Sequence, residues 1–373
     1  MYDPVEYKRA YDRLEHGKAK MDAMRKAIEE ADANEDRPYQ FFFREDLCRE
    51  STFYGDELDL LVIFPQLLAL ADRYPNTPST QFDSGYNDAL DHILWIYKWV
   101  LSACEGYYQI PMEDCMKFFE DFKQRSLAYG YNLRPYYYML YNFYQYIDDK
   151  KAEEAFHEFE KIPRDSNSDC RACERNSAIE FYLDRGKLLQ AAGLSKDIEN
   201  RALRCGDYNT AWLRLKENYL NYFMDEGNLE ETIKYCRLLE RYKAEETEHQ
   251  IWDTFICCYS FADLGKALKL YKDHWKQMQE NRRPTDIFWT GLYLSVFFKK
   301  LSEARKGNTV KLSLDSSFPL FREDGQYRIN DLYDYYYQNA ETVAKKLDAR
   351  NGVDKYQGWL KEGIELKTVE AAE

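Results

Sequence analysis

Apolar residues recur at helical spacing along most of this chain, and the turns between them follow a common pattern. At each turn a small residue is followed about five positions later by a second small residue, inside the next apolar run. Small residues at these places let two antiparallel helices approach each other closely. The clearest pairs are Gly186 and Ala191, Gly227 and Thr232, and Ala262 and Ala267; Lys150 with Ala155 and Gly55 with Leu60 follow the same spacing.

These turns are spaced almost evenly. The last four begin near positions 150, 186, 227 and 262, so the intervals are about 36, 41 and 35 residues. A tetratricopeptide (TPR) repeat has a period of about 34 residues and supplies one helix pair. Because a single pair cannot bury its apolar face alone, neighbouring pairs must stack. The pattern therefore predicts an all-α protein, a TPR-like α-solenoid of stacked antiparallel helix pairs over residues 1–305.

Apolar spacing also predicts the individual helices before position 150. After the turn at Gly55, seven apolar residues fit one helix: Leu58, Leu61, Val62, Phe64, Leu67, Leu68 and Leu70. Three further helices are predicted in the segments LDHILWIYKWVLSAC, MEDCMKFFEDFKQRSLAYG and RPYYYMLYNFYQYI.

The helical rhythm changes after about residue 300. Val310, Leu312 and Leu314 alternate with polar neighbours, which is typical of a strand, and a turn follows at Asp324-Gly325. The sequence predicts a short extended or hairpin element near residues 309–329, then helices over 330–348 and 354–366. Because terminal repeats are usually atypical, we assign residues 306–373 to a C-terminal cap packed on the same solenoid, with a frayed end.

Composition narrows the choice of partner. The chain has 373 residues and a net charge of −14, so its overall field repels nucleic acid and anionic lipid. Its 33 tyrosines suit half-buried positions on a thin structure. No apolar stretch is long enough to span a membrane, and nine cysteines without a secretion signal favour reduced thiols in the cytoplasm. We expect a protein or peptide partner, not nucleic acid or membrane; the oligomeric state stays open.

The most distinctive local motif is IPRDSNSDCRACER, in which Cys170 and Cys173 stand three positions apart. Ser166, Ser168 and Asp169 are predicted to cap a helix, which places both cysteines in its first turn, where thiolate is favoured. Cys205, after the next predicted helix, is a candidate third ligand. The motif is compatible with buried thiols in a helix seam, with a structural zinc ion or with a redox pair. Zinc is thus the one cofactor considered; Cys236 and His157 are possible further ligands.

Other candidate chemistry is weaker. The pairs Glu154 with His157 and Glu246 with His249 have the E-x-x-H spacing of di-iron bundles, but they stand in distant repeats. The acidic runs from Ala27 and Ala244 are predicted to be solvated. The chain has no motif for nucleotide binding or for serine or zinc hydrolysis. We therefore predict that it is not an enzyme.

A tyrosine-rich helix over 134–146 could line a binding groove, because aromatic side chains are favoured at interfaces. The alternative is that these rings pack between repeats. The candidate partner-binding residues are Tyr137, Tyr138, Tyr141 and Tyr144.

Several segments together resemble a family of bacterial TPR-like proteins without an assigned activity. The shared elements are PRD-x-x-SDC-x-AC at 163–173, the cysteine at 205 and D-A-R-N-G at 348–352, and the likeness extends over most of residues 40–365. The resemblance implies a helical-repeat fold, a bacterial cytoplasm, and three cysteines that are a family feature. Family members often carry Pro-His shortly after the third cysteine. This chain has Asn209-Thr210 there, which counts against a histidine ligand for zinc.

The sequence thus predicts a protein- or peptide-binding helical-repeat scaffold whose acidic and tyrosine-rich surface selects basic and apolar side chains. The alternative is a zinc-stabilised or redox-responsive regulatory protein that uses Cys170, Cys173 and Cys205.

Overall fold

The computed structural model describes residues 2–82, 89–205, 210–243, 251–280 and 282–368. The described chain is all-α apart from one small hairpin, as the sequence predicts. It forms two compact units that divide between Ser168 and Asp169. The predicted boundary between the repeats and the C-terminal cap, at 305/306, falls inside the second unit.

The first unit consists of helices, most of which are joined by short turns. They are α1 (Pro4–Asp12), α2 (Lys18–Ala33), α3 (Arg37–Tyr54), α4 (Leu60–Arg73), α5 (Ala89–Gly106), α6 (Met112–Ala128), α7 (Arg134–Tyr144) and α8 (Asp149–Lys161), with a 3-10 turn at Glu57–Asp59. Most consecutive helices pack against each other, and α5 also contacts both α3 and α7. The turn before α8 is set by Asp148, whose carboxylate accepts hydrogen bonds from the amides of Lys150 and Lys151, both at 3.1 Å.

The second unit continues with helix pairs and ends in the hairpin and two further helices. Its elements are α9 (Arg171–Leu183), α10 (Leu188–Glu199), α11 (Thr210–Asp225), α12 (Leu229–Lys243), α13 (Trp252–Ser260), α14 (Leu264–Gln279), α15 (Pro284–Ala304), β1 (Thr309–Lys311), β2 (Gln326–Arg328), α16 (Ile329–Asn351) and α17 (Lys355–Glu362). The pairs are α9 with α10, α11 with α12, α13 with α14 and α15 with α16. The first helices of adjacent pairs also meet, α9 with α11 and α13 with α15.

The small residues predicted to lie where paired helices approach are buried. Ala191, Thr232 and Ala267 are each 0% exposed. Gly186 and Gly227 end the preceding turns with φ of +64° and +67°, in the left-handed region that favours glycine. The predicted turn positions are therefore confirmed.

The predicted extended element is also confirmed. β1 and β2 pair antiparallel, with the buried Val310 opposite the buried Tyr327. α16 follows at once and ends at Gly352, with φ of +71°. Asp348, in the D-A-R-N-G element, accepts hydrogen bonds from the amides of Tyr356 (3.0 Å) and Gln357 (2.9 Å). This carboxylate therefore fixes the start of α17 to the end of α16.

Beyond α17, the chain returns to the turn between α11 and α12. The Lys367 amide donates to the Gly227 carbonyl oxygen over 2.8 Å, and the Leu229 amide donates to the Lys367 carbonyl oxygen over 3.0 Å. The C-terminal segment thus forms a short parallel bridge inside the second unit.

Within the described ranges, none of the helices combines the length and the apolar composition needed to cross a bilayer.

Candidate metal centre

Three cysteines meet at the start of the second unit. The Sγ atoms of Cys170, Cys173 and Cys205 all lie within 4.8 Å of one another, and we call this group the cysteine centre. The Sγ atoms of Cys173 and Cys205 lie 3.3 Å apart, within hydrogen-bonding distance. All three residues are half-buried. The structure therefore brings together the three cysteines that the sequence singles out.

Cys170 is the N-cap of α9. Its backbone is extended, with φ of −61° and ψ of 150°, and its sulfur accepts a hydrogen bond from the Cys173 amide over 3.2 Å. The predicted caps have a different role, because the Ser168 hydroxyl donates to Asp165 over 3.1 Å and accepts from the Asp165 amide. The prediction that both cysteines stand in the first turn is confirmed, but the sulfur itself replaces the oxygen of an ordinary cap.

A tight turn after α10 brings Cys205 close to Cys170 and Cys173. Arg201 takes a left-handed conformation with φ of +60°, and the Leu203 amide donates to the Asp197 carbonyl oxygen over 3.0 Å. Leu203 and Cys205 then pack against a buried cluster that also contacts Cys170. The cluster consists of Ala172, Ile179, Leu183, Ala191, Ile198, Ala211, Leu215 and Tyr219. The same small core therefore supports both ends of the cysteine centre.

The hydrogen bonds within the cysteine centre shift the pKa values of Cys170 and Cys173 in opposite directions. Donation by the Cys173 thiol, followed by donation from the Cys173 amide and the Cys205 thiol, outweighs partial burial and lowers the pKa of Cys170 to about 5. The pKa of Cys173 is raised, first by its hydrogen bond to Cys170 and then by burial. At neutral pH Cys170 is therefore a thiolate held by thiol and amide donors.

This geometry fits a thiophilic metal ion. Zinc binds thiolate sulfur at about 2.3 Å in tetrahedral sites, so ligand sulfurs stand about 3.8 Å apart. The three sulfurs already lie within 4.8 Å, and small rotations of their side chains would bring them to that spacing. They supply three ligands and leave a fourth position for water or another donor. Cys173 and Cys205, whose sulfurs lie 3.3 Å apart, are also near enough to be oxidised to a disulfide.

The other candidate ligands lie elsewhere. Cys236 is buried and has hydrogen bonds with Cys258 and Tyr259; burial is the first cause that raises its pKa. His157 on α8 lies 3.7 Å from Glu153 and 3.9 Å from Glu160. Among the described residues, the cysteine centre is the one group of three or more such side chains with ligand spacing.

The second E-x-x-H pair, Glu246 with His249, and the acidic run from Ala244 lie outside the described residues. Cys257 and Cys258 are both 0% exposed and belong to the core.

The tyrosine candidates separate into two groups. Tyr138 and Tyr141 are 6% and 1% exposed, and their rings pack on Phe159 and Phe156 of α8. These two belong to the core of the α7–α8 pair, so they cannot line a surface in this conformation. Tyr137 and Tyr144 are half-buried and remain accessible in part. The two inward rings are those that contact α8, and apolar spacing alone does not tell which rings these are.

Comparison with known proteins adds no assignment. No protein-family model matches this chain, and no curated protein matches it significantly. The resemblance to bacterial TPR-like proteins therefore stays a prediction from the motifs.

Proposed function

We propose that the protein is a metal-stabilised helical scaffold whose cysteine centre holds one zinc ion. The observation that supports this function is the convergence of three sulfurs at the N-terminus of a helix. Two come from one helical turn, and the third, from Cys205, lies 32 positions after Cys173. The helix N-terminus and the hydrogen bonds to the Cys170 sulfur favour the deprotonated form of this first ligand, which a metal needs. In a reducing compartment such as the cytoplasm, the three thiols would stay available as ligands.

The ion would join two parts of the second unit. It would tie the first turn of α9 to the segment after α10, so metal occupancy would control how this helix pair packs on α11. Because a site of this kind does not exist in the unfolded chain, metal binding would add directly to folding stability. This coupling would make the protein responsive to metal supply or to thiol oxidation.

Metal analysis of the purified protein tests the proposal. Protein prepared under reducing conditions with zinc is expected to retain about one zinc ion per chain. The variant with Cys170→Ser, Cys173→Ser and Cys205→Ser should retain none, whereas the control Cys236→Ser should keep the ion. Equal zinc content in the triple variant and the wild type would refute the metal centre. A disulfide between Cys173 and Cys205 in protein that takes up no zinc would instead support the redox alternative.

A second function, binding of a basic polypeptide, is favoured by crowded carboxylates at the ends of α9 and α11. Asp184 reaches solvent, yet the surrounding protein, followed by the carboxylates of Glu180 and Asp225, raises its pKa to about 7. Asp225 is also exposed, and loss of hydration beside the surrounding protein and then Glu226 raise its pKa to about 6. A lysine or arginine side chain placed among these groups would relieve their repulsion. We call this region the acidic face.

Capture of partners from the native cytoplasm tests the second function. We expect proteins retained by the wild type to be lost from the variant Asp184→Asn, Asp225→Asn, and to be lost more easily at high salt. The matched control Asp273→Asn, Glu303→Gln removes two exposed charges from other parts of the same unit and should retain them. Identical partners for both variants would refute the role of the acidic face.

Tyr137 and Tyr144 are proposed as aromatic contacts in the first unit. The variant Tyr137→Ala, Tyr144→Ala is expected to lose partners that the wild type retains, because large rings are favoured at interface centres. Unchanged partners would remove these two residues from the interface.

A further inference from the structure

The first unit contains a cavity of ≈ 110 Å³ between α3 and α5. It is lined by Glu45, Arg49, His92, Trp95, Ile96 and Trp99. None of these residues is part of the cysteine centre or of the acidic face. The cavity combines charged groups with two indole rings. Ligand pockets commonly have such a lining, in which aromatic side chains supply contact area and a few polar groups orient the ligand.

The deepest charged group in the cavity is a carboxylate. Glu45 is 4% exposed and His92 is 9% exposed. Glu45 Oε2 lies 3.4 Å from His92 Nδ1. A carboxylate has about four acceptor positions, so Glu45 can keep His92 as a neighbour and still accept hydrogen bonds from a ligand that donates them.

Two indole rings form the walls. Trp95 and Trp99 are half-buried. The Trp99 ring lies 5.6 Å from Phe53, whose side chain is 58% exposed, so an aromatic surface continues outward from the cavity. Lys98 Nζ lies 3.7 Å from the centroid of Trp95, which shows that this indole already accepts a cation.

The nearby cations have partners of their own. Arg49 is bound to Asp46 over 2.9 Å at the surface. Lys98 donates to the Asn167 carbonyl oxygen over 2.7 Å. An anionic ligand would therefore compete with Asp46 for Arg49 and would approach the buried Glu45 carboxylate, whereas a cationic ligand would be attracted by that carboxylate.

We propose that this cavity binds a guanidinium group. A guanidinium is planar, stacks on indole rings and donates paired N–H groups to a carboxylate, so it can use Trp99 and Glu45 together. A compact ammonium lacks the flat face and the forked donors. The group could belong to a free guanidino compound or to an arginine side chain of a polypeptide. The site is separate from both functions proposed above, so its test does not depend on theirs.

Calorimetric titration of the full chain with blocked amino acids tests the chemistry. N-acetyl-arginine methylamide is expected to bind with a dissociation constant on the order of 1 mM, as befits so small a ligand. The neutral isostere with citrulline should bind at least about tenfold more weakly, because it loses the charge-assisted hydrogen bonds. The lysine and aspartate analogues should also be weaker. Equal binding of the arginine and citrulline analogues, or no saturable binding of the arginine analogue, would overturn the proposal.

Substitutions of residues that line the cavity test whether the ligand binds there. Trp99→Leu should weaken binding of the arginine analogue roughly fivefold, because one stacking face is lost. The matched control Trp359→Leu changes another half-buried indole, in the second unit, and should leave binding unchanged. Glu45→Gln should abolish the preference for arginine over citrulline. A folded Trp99→Leu variant with wild-type affinity would overturn the assignment to this cavity.

The source of the group is decided by two further ligands. If methylguanidine binds as tightly as a blocked arginine tetrapeptide, the site takes a free guanidino compound. If the tetrapeptide binds at least about tenfold more tightly, contacts beyond the guanidinium contribute, and the site takes a polypeptide side chain. Both outcomes support guanidinium binding.

Discussion

Each end of α9 holds a group that becomes an anion when it loses its proton. The pKa of the group at the N-terminus is lowered, and the pKa of the group at the C-terminus is raised. At the N-terminus, hydrogen bonds from Cys173 lead the causes that lower the pKa of Cys170 to about 5 and so favour its anion. At the C-terminus, loss of hydration beside the surrounding protein and then the carboxylates of Glu180 and Asp225 raise the pKa of the exposed Asp184 to about 7 and disfavour its anion. One helix of 13 residues therefore has one end that stabilises negative charge and one end that resists it.

The backbone contributes to this difference. The free amides at a helix N-terminus attract an anion, and the free carbonyl groups at the C-terminus repel one. Burial alone has the opposite effect on a thiol, since it is the first cause that raises the pKa of Cys257. Hydrogen-bond donors lead the causes at the N-terminal end, whereas loss of hydration and then neighbouring carboxylates lead at the C-terminal end, so the two ends favour opposite charge states.

The largest expected effect is that of zinc at the N-terminal end. At a free zinc concentration 1,000 times the dissociation constant, the free energy of unfolding should rise by about 4 kcal/mol. Denaturant unfolding with zinc and with a chelator measures this gain. Cys205→Ser should remove most of the gain, and Cys236→Ser should preserve it. An equal gain in both variants would show that zinc acts elsewhere.

A smaller effect is expected when metal is absent: replacing a fully buried cysteine should cost more free energy of unfolding than replacing a cysteine of the cysteine centre. Cys257→Ser should lower the free energy of unfolding by about 2 kcal/mol, because a hydroxyl would replace a thiol at a fully buried core position. Cys170→Ser should change it by less than about 0.5 kcal/mol, because serine is itself a good N-cap. Denaturant unfolding in the presence of a chelator checks both. A larger loss for Cys170→Ser would mean that its sulfur has a packing role that serine cannot fill.

Local sequence patterns could predict much of the fold. The turns at Gly186 and Gly227 and the buried Ala191 depend on residues only a few positions apart, so spacing is enough to find them. It is harder to predict exactly which side chains of a helix are buried. Val62 is 65% exposed although it fits the apolar stripe of α4, because its contacts depend on where neighbouring helices lie.

The candidate site could be predicted only in part. Cys170 and Cys173 share one turn, so their proximity follows from the sequence. The arrival of Cys205 depends on the left-handed turn at Arg201, a residue type that does not signal this conformation. Glu45 and His92 are ionisable residues, a type usually found at the surface, and only packing shows that they are buried.

Changing the turn after α9 tests whether the two ends are independent. Gly186→Ala should lower the free energy of unfolding by about 1 kcal/mol, because alanine resists the φ of +64°. Zinc binding at the other end should not change. The control Gly193→Ala lies within α10, where an added Cβ meets no atom within 4 Å, and it should raise the stability by up to about 1 kcal/mol. Loss of zinc binding in Gly186→Ala would show that the two ends are coupled.

The smallest expected effect is a pH dependence that arises at the C-terminal end. The pKa of Asp184 is about 7 in the folded protein, against about 3.9 for an unperturbed aspartate. Between these values the folded state binds more protons than the unfolded state, so this group makes the free energy of unfolding fall as pH rises from about 4 to about 7. Asp184→Asn should remove that contribution, so the variant should gain stability relative to the wild type as pH rises through this window. Urea unfolding of both proteins across the window measures the difference, with Asp273→Asn as the control for loss of an exposed carboxylate. A constant difference between Asp184→Asn and the wild type at every pH would mean that Asp184 ionises in the folded state as it does in the unfolded chain, and the contrast between the two ends of α9 would then depend on the thiols alone.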